Sequence, residues 1–340
     1  MKRFAALLGS TVLLTAPAAM AAELNVVTSI KPVHSLVSAV MEGVAEPSLL
    51  VKGAGSPHTY TMRPSDAQAL ENASVIFWIG ERLEAFLDGP IETVASGAKV
   101  IELGDLDGLT KLELREGGAF EAHDHEAGEE DHNHYEAGHD HDDDNHGHGE
   151  AGHDNDDDKD HAGHRDDETD MHLWLDPLNA KVFVTEIAEA LAEADPENAA
   201  RYAANAEAVE TGLDALIKEI DAELTPVRGK PFIVFHDGYH YFENRFDVEA
   251  AGSITVNPDT APGAQRIAEI QQKIAELGAT CVFTEPQFEP RVISVVTEGT
   301  GAKAGELDPL GAALEDGPDL YPSLIRNIAG SLRDCLAGDS

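Results

Sequence analysis

Histidine is the residue type with the most chemical potential in this chain, and it occurs in two settings. Eleven of the sixteen histidines (His123, His125, His132, His134, His139, His141, His146, His148, His153, His161 and His164) crowd into one stretch with aspartate and glutamate. The other five are His34, His58, His172, His236 and His240. Neutral imidazole is a borderline-soft nitrogen donor that suits Zn²⁺, so both settings are candidate metal-binding chemistry. Their physical prospects differ. A charge-dense stretch must be ordered anew at each binding event, which lowers its affinity, whereas a histidine at the end of a buried strand is held in place beforehand.

His58 lies in "GAGSPHTYTMRPSD", just past an apolar strand pattern; His172 lies in "DMHLWLDP"; His236 closes "PFIVFHDGY". One such histidine is ordinarily structural, but three at strand ends can converge on a cleft and form a metal site. Zn²⁺ accepts three protein nitrogens and a fourth oxygen in tetrahedral geometry. Asp308, in "GELDPLGA", is the candidate oxygen donor, with water as its competitor. Glu285, in "TEPQF", could orient a ligand ring by accepting its other N–H, or be a plain loop carboxylate. His240, four residues after His236, could share its helical face, but "HDGY" implies an intervening turn and a supporting role. His34 follows "KPV" at the start of the first helix.

These side chains need a scaffold. Lys2 and Arg3, an apolar run and the small residues ending at Ala21 read as a signal peptide over residues 1–21, so the mature chain is expected in an oxidising, extracytoplasmic compartment, the periplasm of a Gram-negative cell. No cysteine follows the apolar run to carry a lipid, and the protein is expected to be an unanchored monomer. Cys281 and Cys335 suggest one disulfide, two buried thiols being the alternative. The formal net charge is −41, and residues 116–170 hold 22 acidic against two basic residues. Such a surface excludes nucleic acid and anionic membranes and favours cations.

From Leu24 the pattern alternates buried strands ("LNVVTSI", "PSLLV", "SVIFWIG", "KVIEL") with helices ("HSLVSAVMEG", "SDAQALENA", "LEAFLDGPIETV"). Ser65 to Gln68 has capping-box spacing. Residues 116–170, apolar-poor and charge-dense, predict a disordered loop. A helix over 178–194 follows, then a long one over 196–225 with Asp195 as N-cap and Tyr202, Ala206, Val209, Leu213, Leu216, Ile220 and Leu224 on one face. The strands "PFIVFH", "EAAGSITV", "TCVFTEP" and "KAGELD", with their own helices, then complete a second unit. The predicted class is α/β: two lobes, residues 22–195 and 226–340, each with a mostly parallel sheet flanked by helices, joined by one long rigid helix. In such sheets ligands collect beyond the carboxyl ends of the strands, here between the lobes.

The motifs "TSIKPVHSLVSAVMEGV", "PHTYTMRPSD", "MHLWLDP", "VFHDGYHYFE", "TVNPDTAPGAQR", "TCVFTEPQF" and "LDPLG" closely resemble the cluster A-I metal solute-binding family, in particular its zinc receptors for bacterial ABC importers. The resemblance spans essentially the whole mature chain, including a histidine-rich acidic insertion. It implies that His58, His172 and His236 occupy the family's three histidine ligand positions and Asp308 its aspartate position. It also implies a Cys281–Cys335 pairing. Manganese receptors of the cluster carry a carboxylate where His236 stands, and imidazole there favours zinc over the harder Mn²⁺. Some zinc members place glutamate before the first histidine; here that residue is Pro57, which leaves Asp308 or water.

The resemblance implies a periplasmic receptor, not an enzyme, that captures Zn²⁺ as a transported ligand and delivers it to a permease driven by a separate ATPase. The histidine-rich loop would act as a low-affinity collector or sensor. A zinc buffer without a transporter, or a zinc hydrolase using three histidines and water, are the alternatives. No HExxH, nucleophile elbow or phosphate-binding loop accompanies the site.

Overall fold

The computed structural model describes residues 24–115, 120, 169–255, 262–288 and 291–337. The expected signal peptide and all eleven clustered histidines lie outside the described residues. The first lobe runs β1 (Val26–Thr28), α1 (Lys31–Val40), β2 (Ser48–Leu49), α2 (Pro64–Glu71), β3 (Val75–Trp78), α3 (Asp88–Thr93) and β4 (Lys99–Glu102). Then come α4 (Pro177–Ala194) and α5 (Ala199–Leu224). The second lobe comprises β5 (Phe232–His236), α6 (His240–Phe246), β6 (Ala250–Thr255), α7 (Ala264–Leu277), β7 (Cys281–Thr284), α8 (Arg291–Thr297), β8 (Lys303–Glu306) and α9 (Leu320–Leu336). Each lobe holds a four-stranded sheet, ordered β2-β1-β3-β4 and β6-β5-β7-β8, and every pairing is parallel.

The central strands β1, β3, β5 and β7 are apolar on both faces because both faces are covered. Val26, Val75 and Phe77 point into a central core, while Val27, Ile76 and Trp78 pack outward beneath α2 and α3. The second sheet repeats the alternation, with Phe232 and Val234 inward and Ile233 and Phe235 outward beneath α7 and α8. The central core is continuous through both lobes: Leu36 and Val37 of α1, Phe183 and Ile187 of α4, Leu213, Leu216 and Ile220 of α5, and Leu324 and Ile328 of α9 belong to one cluster. The 26 residues of α5, about 40 Å at the standard helical rise, form its spine.

Four local expectations are corrected. The long helix starts at Ala199, capped by Asn198, because Asp195 instead closes the corner after α4, accepting from Asn198 Nδ2 (2.6 Å) and the Tyr202 hydroxyl (2.8 Å). Helix α2 starts at Pro64, and Asp66, not Gln68, reaches back to the Arg63 N–H at 2.8 Å. Helix α3 covers only Asp88–Thr93 of its predicted span, the preceding residues forming turns. Thr169 and Asp170, placed in the disordered loop, belong to the fold: Glu113 and Thr169 form an antiparallel bridge, and the Asp170 N–H donates to the Leu112 carbonyl at 2.8 Å.

Polar contacts reinforce the shared core at the lobe boundary. Asp176, the N-cap of α4, accepts two hydrogen bonds of 2.7 Å each from Arg245 of α6. Arg115 pairs with Asp237 and Glu243. Lys31 of α1 donates to the Leu314 carbonyl at 2.7 Å and pairs with Asp316 at 3.1 Å. The Trp174 indole donates to the Pro309 carbonyl at 2.8 Å.

Cys281, the first residue of β7, is disulfide-bonded to Cys335 of α9, 54 positions away in sequence. A loop of that length constrains the unfolded chain by about 4 kcal/mol in the chain-entropy model. Cys335→Ser is expected to cost about 2–4 kcal/mol, read from the urea midpoint, with reductant lowering the parent protein equally and leaving the variant unchanged.

Candidate metal centre

The site is assembled from three separate stretches at the lobe boundary. His58 sits on the loop between β2 and α2, where its N–H donates to Ser56 Oγ at 3.3 Å. Asp66 anchors that loop by accepting from the Tyr60 hydroxyl at 2.8 Å, and the same hydroxyl lies 3.1 Å from the Leu50 carbonyl. His172 precedes a short 3-10 turn, Leu173–Leu175, that leads into the capped start of α4. His236 is the last residue of β5. In a sheet ordered β6-β5-β7-β8 the chain reverses direction of growth between β5 and β7, where the crevice of an open parallel sheet forms. His236 and Glu285 flank that point, Glu285 following the last residue of β7.

The three rings meet with centroids 5.0 Å (His172–His236), 5.6 Å (His58–His172) and 6.0 Å (His58–His236) apart. One donor nitrogen from each lies within 4.8 Å of the others, and among the described residues this is the group of three or more such side chains that could hold a metal ion. Pro57, Trp174, Phe288 and Leu310 wall the pocket and exclude water from one side.

Hydrogen bonding sets the tautomers of two rings. His236 Nδ1 lies 2.6 Å from Glu285 Oε1, and His172 Nδ1 lies 2.7 Å from Asp170 Oδ1. Ionised carboxylates only accept, so both Nδ1 atoms carry the hydrogen, and in the neutral form of each ring Nε2 presents its lone pair. Those Nε2 atoms face each other at 3.1 Å. Two converging lone pairs repel unless a proton or a metal cation lies between them.

Protonation follows the surroundings. Burial pulls the His236 ring down, but Glu285 outweighs it and leaves His236 above the ordinary histidine value. His58 is pushed down to about 3, by burial first and by the neighbouring His172 and His236 rings second. Burial raises the Asp170 carboxyl, yet pairing with His172 more than offsets this and keeps it below the usual range.

The remaining expected residues separate. Asp308 stands outside the histidine group: its Oδ1 accepts from Gln287 Nε2 (2.9 Å) and the Leu310 and Gly311 N–H groups (3.0 and 2.9 Å), and its Oδ2 from the Ala312 N–H (2.5 Å). It closes a turn. His240 opens α6 and lines a different pocket with Arg115 and Glu243. His34 is buried in α1 with Nε2 3.2 Å from the Pro47 carbonyl. Asp170 went unrecognised in the sequence because it ends a run of acidic residues; its signal is the Asp-x-His spacing to His172.

Two parallel sheets on a continuous helical spine, with three imidazoles converging at their boundary, define a two-lobed binding protein with a candidate metal centre in its cleft. A family model described as ZnuA, zinc-uptake complex component A, periplasmic, matches residues 26–335. The high-affinity zinc uptake system protein ZnuA of Brucella suis is 58% identical over 313 residues, covering 92% of each chain. Its namesake from Yersinia pestis is 37% identical over 333 residues, covering 97% of this chain and 96% of its own. A solved structure, titled as the crystal structure of ZnuA, superposes with a TM-score of 0.68 at 24% identity, covering 91% of this chain and 99% of that one. The chain belongs to the ZnuA family.

A metal held at Nε2 would require His236 to shed the proton that Glu285 favours, whereas burial and the neighbouring rings already hold His58 far below the ordinary histidine value. Affinity is therefore expected to fall as pH drops through and below the raised His236 value. In the metal-free protein the sign is opposite: the His236 proton stabilises the fold below the unfolded histidine value and is lost as pH rises through the raised one. Calorimetry in buffers of different ionisation enthalpy should show proton release on zinc binding near neutral pH that shrinks as pH rises above the raised His236 value.

Proposed function

We propose that this chain is the exported receptor of a zinc uptake system, holding Zn²⁺ between its lobes on His58, His172 and His236 and passing it to a permease energised by a separate ATPase. The observation that carries this reading is the convergence of the His172 and His236 Nε2 lone pairs at 3.1 Å, with His58 alongside, in a pocket between two lobes. Family membership and the zinc-uptake names of the Brucella and Yersinia relatives support the same reading.

Three imidazoles and one oxygen complete a zinc tetrahedron, and we assign the oxygen to water, since Asp308 spends both its oxygens on neighbouring N–H groups. Glu285 is assigned to orienting His236 and His240 to a supporting role. An imidazole at His236 favours Zn²⁺ over Mn²⁺. The shared core and the polar contacts between lobes support release by movement of ligand-bearing loops, not by a wide hinge. The protein acts as a receptor without turnover, a monomer free of any lipid anchor, after removal of residues 1–21. No helix among the described residues is long and apolar enough to cross a membrane. The histidine-rich segment, residues 116–170 as first bounded, is assigned the part of a weak zinc collector.

The test is zinc titration calorimetry on the signal-free protein, beside a form lacking residues 122–164 and the His236→Ala variant. One tight site kept in the shortened form and lost in His236→Ala is the expected result. A tight site that vanishes with residues 122–164 would place the receptor in the histidine-rich segment and overturn the assignment. Zinc-limited growth of cells carrying the permease should follow the tight site in the same variants.

A further inference from the structure

We propose that Asp170 is a positioning residue of the metal centre, fixing the tautomer and orientation of His172, and that Tyr241 of the second lobe holds Asp170 in place. The inference rests on the reading of His172 as a zinc ligand. Asp170 Oδ1 meets the same histidine twice, accepting from its backbone N–H at 2.9 Å and from Nδ1 at 2.7 Å. The two contacts close a small ring that leaves the imidazole little freedom. Because a carboxylate accepts at Nδ1, the lone pair is confined to Nε2, the atom aimed at His236. A ligand histidine held through its other nitrogen in this way is better oriented and more basic.

Asp170 is 1% exposed, and its Oδ2 is buried without a hydrogen-bond partner among the described residues. Leaving a buried carboxylate oxygen unpaired is unfavourable, so stability alone does not account for this residue. A dication one imidazole away would offset that cost. Glu285 repeats the arrangement on His236, its Oε1 lying 2.6 Å from Nδ1. Two buried carboxylates, each one hydrogen bond behind a neutral ligand ring, supply two negative charges against a divalent cation.

The support beneath Asp170 comes from the other lobe. The Tyr241 hydroxyl donates to the Asp170 carbonyl at 2.7 Å and accepts from the Leu112 N–H at 3.0 Å, while the Asp170 N–H donates to the Leu112 carbonyl at 2.8 Å. Tyr241 is fully buried in α6, five residues after His236. One short helix of the second lobe thus sets the backbone behind the first lobe's ligand.

The experiment uses the signal-free full chain with Asp170→Ala, Asp170→Asn and Tyr241→Phe. Three quantities are read: the His172 tautomer in zinc-free protein by long-range ¹H–¹⁵N NMR, zinc affinity by competition with a chromophoric chelator, and the thermal midpoint without zinc. Asp170→Ala should lose the Nδ1–H tautomer and bind zinc about 10–100-fold more weakly. Asp170→Asn, which keeps an acceptor oxygen but no charge, should retain the tautomer and lose less affinity. Tyr241→Phe should weaken zinc several-fold and broaden the His172 signals. Should Asp170→Ala not fold, the other two variants decide. An unchanged tautomer and affinity in Asp170→Ala, or in both other variants, overturns the proposal. His172→Ala with undiminished zinc affinity would instead overturn His172 as a ligand, while the tautomer measurement still judges Asp170.

Discussion

The structure depends on one apolar core that belongs to both lobes at once. The inner faces of the two sheets do not close separate hydrophobic centres; they pack on a common body of α1, α4, α5 and α9. Trp174, Tyr202, Tyr239, Tyr241, Phe242 and Tyr321 are among its fully buried side chains. Fully burying one large apolar side chain is worth about 1.5–3 kcal/mol, so exposing several by parting the lobes would cost on the order of 10 kcal/mol, comparable to the whole stability of a domain. The distance between the ligand-bearing strand end of one lobe and the ligand-bearing turn of the other is therefore a property of the fold, not of the bound ion.

Electrostatics works within that frame. A chain with a formal charge of −41 attracts cations from a distance, but the cation meets neutral imidazoles backed by buried anions, not a surface carboxylate cluster. Charge that is buried behind the ligands cannot be screened by salt as surface charge is. Arg115 and Arg245 neutralise Asp237, Glu243 and Asp176 nearby, so Asp170 and Glu285 remain the anions closest to the imidazole ligands. The site thus separates the imidazoles that could hold a metal from the carboxylates that would balance its charge.

Much of this was legible in the sequence, and the reasons are specific. The strands announced themselves because both faces of each sheet are buried, which makes runs such as "VIFW" and "FIVF" continuously apolar. His58 and His236 could be placed near strand ends for the same reason, and His172 at the return of apolar pattern after the acidic run. What was not legible depended on partners far away in sequence. Asp195 reads as an ideal N-cap, yet Tyr202 and Asn198 claim its carboxylate and the helix starts later. Asp308 reads as a candidate oxygen donor with water as its competitor, and its hydrogen bonds to the turn it begins are invisible in the sequence. Asp170 looks like one more charge in an acidic run, and the bridge between Glu113 and Thr169 with its contacts to Leu112, His172 and Tyr241 separates it from that run.

That bridge has an evolutionary meaning. It brings residues 113 and 169 side by side, so the two ends of the segment between them are held as neighbours. Closing a chain segment between fixed neighbours grows in cost only logarithmically, about 0.6 kcal/mol for each doubling in length. Selection can lengthen, shorten or rewrite whatever is inserted there without rethreading a strand or disturbing a helix. The position is a tolerant splice point beside the metal centre, where new ligand chemistry can be tried while the receptor keeps its shape.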